Sequence, residues 1–74
     1  MDVETIARLI RILDDGALSP EEGIELIELI TVGLDHLKPQ VGKWYFRVLI
    51  DGIKVTLGEL KQHLSEISDA RIYR

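Results

Sequence analysis

Residues 44–57 read W-Y-F-R-V-L-I-D-G-I-K-V-T-L, and this stretch satisfies two hydrophobic periods at once. As strands it turns at Asp51-Gly52, a residue pair favoured in two-residue type I′ turns because both central positions need φ > 0. The register then pairs Ile50 with Ile53, Val48 with Val55 and Phe46 with Leu57 on one face. Arg47 with Thr56 and Leu49 with Lys54 fall on the other. As a helix, the same region offers a stripe through Val41, Trp44, Tyr45, Val48, Leu49, Gly52, Ile53, Thr56, Leu57, Leu60 and Leu64. The period that prevails sets the fold class and the surface left free for a partner.

Local signals favour the hairpin. Val41, Val48, Ile50, Ile53, Val55 and Thr56 are β-branched, and three aromatics stand beside them. Gly52 and Gly58 would each cost a helix interior about 1 kcal/mol relative to alanine. A helix would strand Phe46, Ile50 and Val55 off its stripe, whereas the hairpin gathers all three on one face. Thr56-Leu57-Gly58-Glu59 reads as a capping box, which starts a helix there.

The ends of the other elements are better marked. Asp2 can cap a first helix whose apolar residues Val3, Ile6, Leu9, Ile10 and Leu13 recur at helical spacing, and Gly16 supplies the left-handed residue that ends it. Ser19-Pro20-Glu21-Glu22 combines a capping serine, a proline at the first helical position and a glutamate closing the box. The second helix should then run until Pro39 disfavours helical backbone at Lys38. Its apolar arc, Leu26, Ile27, Leu29, Ile30, Gly33, Leu34 and Leu37, spans roughly 160°, wider than a minimal core-facing stripe. Ile24 and Val32 lie outside even that arc.

The expected fold is α+β: a two-helix hairpin over about residues 2–15 and 20–37, a β-hairpin over about 43–50 and 53–56 turning at Asp51-Gly52, and a C-terminal helix over 57–68. In that helix Leu57, Leu60, Leu64 and Ile67 should be buried. Residues 69–74 either fray or add a short third strand through Ile72 and Tyr73. The alternative is an all-α three-helix domain whose last helix spans about residues 40–68.

Seventy-four residues make one small domain, a size at which core burial barely offsets conformational entropy. Small domains compensate with disulfides, metals or oligomerisation. Cysteine is absent, which removes disulfides and thiolate zinc sites, and His36 and His63 have no ligand-like spacing. Isoleucine, leucine and valine nevertheless account for 26 of the 74 residues, a heavy aliphatic load for so small an interior. That excess points to oligomerisation. No run approaches the roughly 18 apolar residues of a membrane span. The acidic start Met-Asp-Val-Glu has no signal-peptide character, so a cytoplasmic location and no membrane partner are expected.

Familiar chemistries fit poorly. Aligning Gly16 with the invariant glycine of a calcium loop puts Arg11 and Leu13 where coordinating carboxylates belong. A DNA-reading helix-turn-helix would begin its recognition helix Pro20-Glu21-Glu22, whose carboxylates repel phosphate. Ser19, Ser65 and Ser68 have no histidine placed to activate them, and there is no glycine-rich phosphate loop. No catalytic, metal or cofactor residues are assigned.

Interaction surfaces remain. The net charge of −4 divides into −7 over residues 1–37 and +3 over residues 38–74. That asymmetry allows internal neutralisation, head-to-tail assembly or an anion-facing surface. On the hairpin reading, Lys43, Tyr45, Arg47 and Lys54 form a basic ribbon beside Trp44, a candidate partner-binding surface. Ile24, Leu26, Leu29 and Val32 are the candidate oligomer interface. The expected function is a non-enzymatic protein–protein interaction or assembly module, acting as a homo-oligomer or accessory subunit. The alternative is a small nucleic-acid-binding accessory protein using the basic face of residues 43–54.

Overall fold

The side chain of Asp2 accepts a hydrogen bond from the Thr5 amide at 2.8 Å and opens helix α1, Val3–Asp14. Gly16, at φ +70°, reverses the chain after it, a conformation in which a β-carbon would be strained. Ser19 then closes the expected capping box. Its hydroxyl accepts from the Glu22 amide at 3.2 Å, while its own amide donates to Glu22 Oε1 at 3.2 Å. Helix α2, Pro20–Leu37, follows and ends in a single 3₁₀ turn, Lys38–Gln40, around Pro39. The computed structural model describes residues 2–72, with side chains as far as residue 70.

The contested stretch is helical. After an extended Val41, one helix α3 runs Trp44–Ile72, and no strand occurs among the described residues. The expected β-hairpin is therefore not formed, and the architecture is the all-α alternative, with the last helix starting and ending a turn later. Asp51-Gly52 does not turn, and Gly52 has no positive φ. Thr56 does not cap a new helix: its hydroxyl donates to the Gly52 carbonyl at 3.0 Å, inside α3. The third strand does not form either, because the backbone is helical through Ile72; Tyr73 lies outside the described residues.

The pairing of α2 with α3 supplies the physical reason. Along one edge, Lys38 bonds Asp51 at 2.6 Å, Asp35 pairs with Lys54, Glu28 with Lys61 at 3.0 Å, and Ser68 donates to Glu21 at 2.8 Å. Steps of three, seven and seven residues back along α2 match equal steps forward along α3. The helices are thus antiparallel and in heptad register. Such surface ion pairs each contribute little stability, but three of them and one hydrogen bond in a single register oppose slippage. On the same side, Ile50 and Leu57 are buried and Leu64 half-buried, at the same heptad spacing. A hairpin turning at residue 51 could not hold all these contacts together.

Helix α2 is the centre of the fold. Ile27 and Ile30 are its most deeply buried residues, joined in the core by Ile6 of α1, Leu34 of α2, and Ile50 and Leu57 of α3. At Gly23 the helices approach so closely that a Cβ would lie 2.9 Å from Leu64 Cδ1. Helix α1 packs on α2 through a five-residue connection and runs parallel to α3, but α1 and α3 scarcely touch. The molecule measures 49 × 19 × 16 Å, with a radius of gyration of 13.5 Å against about 11 Å for a compact chain of this length. Its length comes from α3, which at 1.5 Å per residue spans about 43 Å against about 27 Å for α2.

Candidate functional site

Helix α3 carries a second heptad seam that α2 does not use. Phe46, Leu49, Ile53, Thr56, Leu60, His63 and Ile67 recur at alternating steps of three and four residues, and all are exposed. Leu49 is 58% exposed and Phe46 46%, in contrast to 6% for Ile50 on the side facing α2. The expected burial of Leu60 and Ile67 is not found; both remain at the surface. Exposed large apolar residues occur singly on most proteins, but a row of five along one helix is what interaction surfaces present.

At the N-terminal half of α3 the seam becomes one wall of a groove. Val3, Ala7 and Ile10 of α1 form the opposite wall, and Leu34 and Leu37 of α2 lie at its base. Every side chain lining this space of about 450 Å³ is apolar. A second hollow shares Ile10, Leu49 and Ile53 with it and continues past Gly52 to Thr56. The groove exists because α1 and α3 flank α2 without closing on each other. The same fact leaves Val3 61% exposed, although its spacing had placed it with the core.

The candidate partner-binding residues are rearranged by the helix. In place of a flat ribbon, Arg47 and Lys54 fall within about 20° of each other on the side of α3 that faces α2, and Lys43 stands immediately before the helix. Lys54 is engaged there by Asp35, which holds its ammonium group above the ordinary pKa of 10.5. The Lys38 ammonium hydrogen-bonded to Asp51 holds that carboxyl below its ordinary 3.8. Lys43 and Arg47 have no ion pair among the described residues. Trp44, 73% exposed, points elsewhere and packs edge-on to Tyr45 at 6.2 Å, which stacks obliquely on Phe46 at 4.5 Å. Lys43 Nζ lies 5.8 Å from the Tyr45 ring centre, within cation–π range.

The candidate oligomer residues of α2 divide between two faces. Leu26 and Leu29 line a shallow hollow with Ile12 and Leu18 on the α1 side. Val32, 52% exposed, belongs to the α2–α3 side with Thr31 and Lys54, and Ile24 is half-buried on that same edge. The four do not form one patch. The seam on α3 was missed because residues 46–53 were read at period two, which put Phe46 and Leu49 on opposite faces. The opposite charges of residues 28–38 and 51–61, matched at steps of three and seven, were the signal that α3 keeps one helical phase.

Among the described residues no helix is long and apolar enough to cross a membrane, and no three histidine or carboxylate side chains converge as a metal site. His36 and His63 are both exposed and lie on different helices. Comparison with known proteins adds no relative: no family model, no curated protein and no solved structure matches the chain.

Proposed function

We propose that this chain is a non-enzymatic assembly module that receives an amphipathic helix along α3. The observation that carries this reading is the exposed heptad seam running into the wholly apolar α1–α3 groove. An amphipathic helix fits it by the same packing with which α2 covers the other side of α3. The surface area supports the reading. A compact monomer of 8.4 kDa exposes about 4,600 Å², whereas this chain exposes 5549 Å². The excess of about 900 Å² is close to the roughly 800 Å² that each partner contributes to a stable interface. Light scattering at micromolar concentration, together with recovery of bound protein from lysate, tests the reading. A mass above 8.4 kDa or a retained partner is expected, with either lost when Leu49 and Ile53 are changed to glutamate. A monomer that retains nothing overturns it.

One observation favours a second reading, nucleic-acid binding. Lys43 and Arg47 flank the exposed Trp44 and Tyr45 at the start of α3, a mixture suited to stacking bases and neutralising phosphates. That reading requires salt-dependent retention of single-stranded DNA or RNA, abolished by Lys43→Glu with Arg47→Glu. Retention that is absent, or unaffected by both changes, excludes it.

A further inference from the structure

We infer that α1 is a gate: it opens as a unit while α2 and α3 stay paired and folded. The unequal contacts on the two sides of α2 carry this. On the α3 side, Ile27, Ile50 and Leu57 are buried, and three ion pairs and the Ser68–Glu21 hydrogen bond fix the register. On the α1 side no side-chain hydrogen bond or ion pair crosses to α2 or α3 among the described residues. Ile6 is the one buried side chain that α1 contributes. Leu9, Ile10 and Leu13 are half-buried, and Val3, Ala7 and Ile12 are exposed. An element with so little buried apolar surface belongs to the low-stability end of a structure, below the α2–α3 pair.

The connection permits the motion. Gly16 has open space around it at φ +70°, and residues 14–17 are exposed. The backbone hydrogen bonds donated by Asp15 and Gly16 return to Arg11 and Leu13 within α1, so they do not tie the turn to α2. A released α1 would not persist as a helix, because its 12 residues are at the lower limit for an isolated helix in water. Opening and melting are therefore one event. The consequence falls on the groove. Val3, Ala7 and Ile10 are its α1 wall, and opening removes that wall and leaves the core open at Ile30 and Leu34. Helix α1 thereby controls whether the α1–α3 groove exists, independently of what binds there.

Hydrogen exchange of the full chain, followed amide by amide by nuclear magnetic resonance at low urea concentrations, tests the gate. The amides of Leu9, Ile10 and Arg11, in the middle of α1, should be at least about tenfold less protected than those of Ile30 and Leu57. Their exchange should also depend less on urea, because the opening exposes less surface than global unfolding. Ile27→Val separates the two processes. Ile27 lines the α2–α3 hollow with Lys54 and Lys61, and neither hollow shared by α1 and α2. Removing one methyl group there weakens the α2–α3 pair equally with the gate open or closed. Protection of Ile30 and Leu57 should fall about two- to tenfold, and that of α1 should stay the same. Equal protection of α1 and α2 in the unmodified chain overturns the gate. A fall in α1 protection on Ile27→Val, in step with the other helices, overturns it too.

Discussion

Gly52 lies well inside α3 with no positive φ, and a Cβ built on it meets nothing within 4 Å. Gly58, six residues on, has the same open surroundings. Alanine at either position should therefore stabilise the fold, because glycine in a helix interior costs about 1 kcal/mol relative to alanine and no clash offsets the gain. For a domain of this size, 1 kcal/mol corresponds to a melting-temperature rise of about 4–8 °C. The two residues are well separated around the helix and share no neighbour, so Gly52→Ala with Gly58→Ala should give close to the sum. Gly23 provides the internal contrast. A Cβ there would lie 2.9 Å from Leu64 Cδ1, and moving Leu64 within the packed α2–α3 contact should cancel the gain. Thermal unfolding followed by far-ultraviolet circular dichroism reads all three, at one fixed protein concentration because self-association would shift the midpoint. A fall in melting temperature for Gly52→Ala would refute the reasoning, since that is the response of a turn with φ > 0.

Further perturbations test other levels of the fold. Ser19→Ala removes the acceptor for the Glu22 amide and should lower stability by about 1 kcal/mol in urea unfolding, with an unchanged m-value. Ile30 is fully buried, and Ile30→Ala should cost about 2–5 kcal/mol, enough to leave much of so small a domain unfolded by circular dichroism. Stability should also depend on pH at both extremes. Asp2, held down by its bond from Thr5, Glu22 by Ser19 and Asp51 by Lys38 all have carboxyls below their ordinary values of 3.8 to 4.5. Their contribution is therefore complete above that range and lost as pH falls through it and below. Lys54, raised above 10.5 by Asp35, contributes fully below that value and loses its contribution as pH climbs past it. Asp51→Asn should reduce the acid-side loss of melting temperature.

How much of this molecule could be read from residues alone depends on the range of the interaction involved. The caps of α1 and α2 were legible because each is complete within four residues: Asp2 with Thr5, and Ser19 with Glu22. Helix α2 ends at Leu37, where Pro39 led one to expect, but Lys38 before the proline keeps helical backbone (φ −52°, ψ −46°) and the chain leaves α2 through a 3₁₀ turn. The aliphatic excess foretold apolar surface beyond what one core can hold. It did not reveal where, and the residues of α2 first singled out as an interface lie on separate faces.

Residues 44–57 illustrate the limit. Their local chemistry is that of strands, and as a helix they carry two glycines and leave Val48 and Val55 58% and 62% exposed. Those costs are local and amount to a few kcal/mol. What outweighs them is distributed over residues 50 to 68: Ile50, Leu57 and Leu64 against α2, with the rungs from Lys38–Asp51 to Glu21–Ser68 beside them. Each contact is modest, but all require a single helical phase maintained across α3. The sequence by itself determined where the first two helices begin and end, because capping and proline geometry act within a turn of backbone. Only the tertiary structure decided that the third helix is continuous, because the choice rests on contacts with α2 that are 13 to 47 residues distant in the chain. The same pairing, by occupying one seam of α3, leaves the other facing solvent and open to a partner.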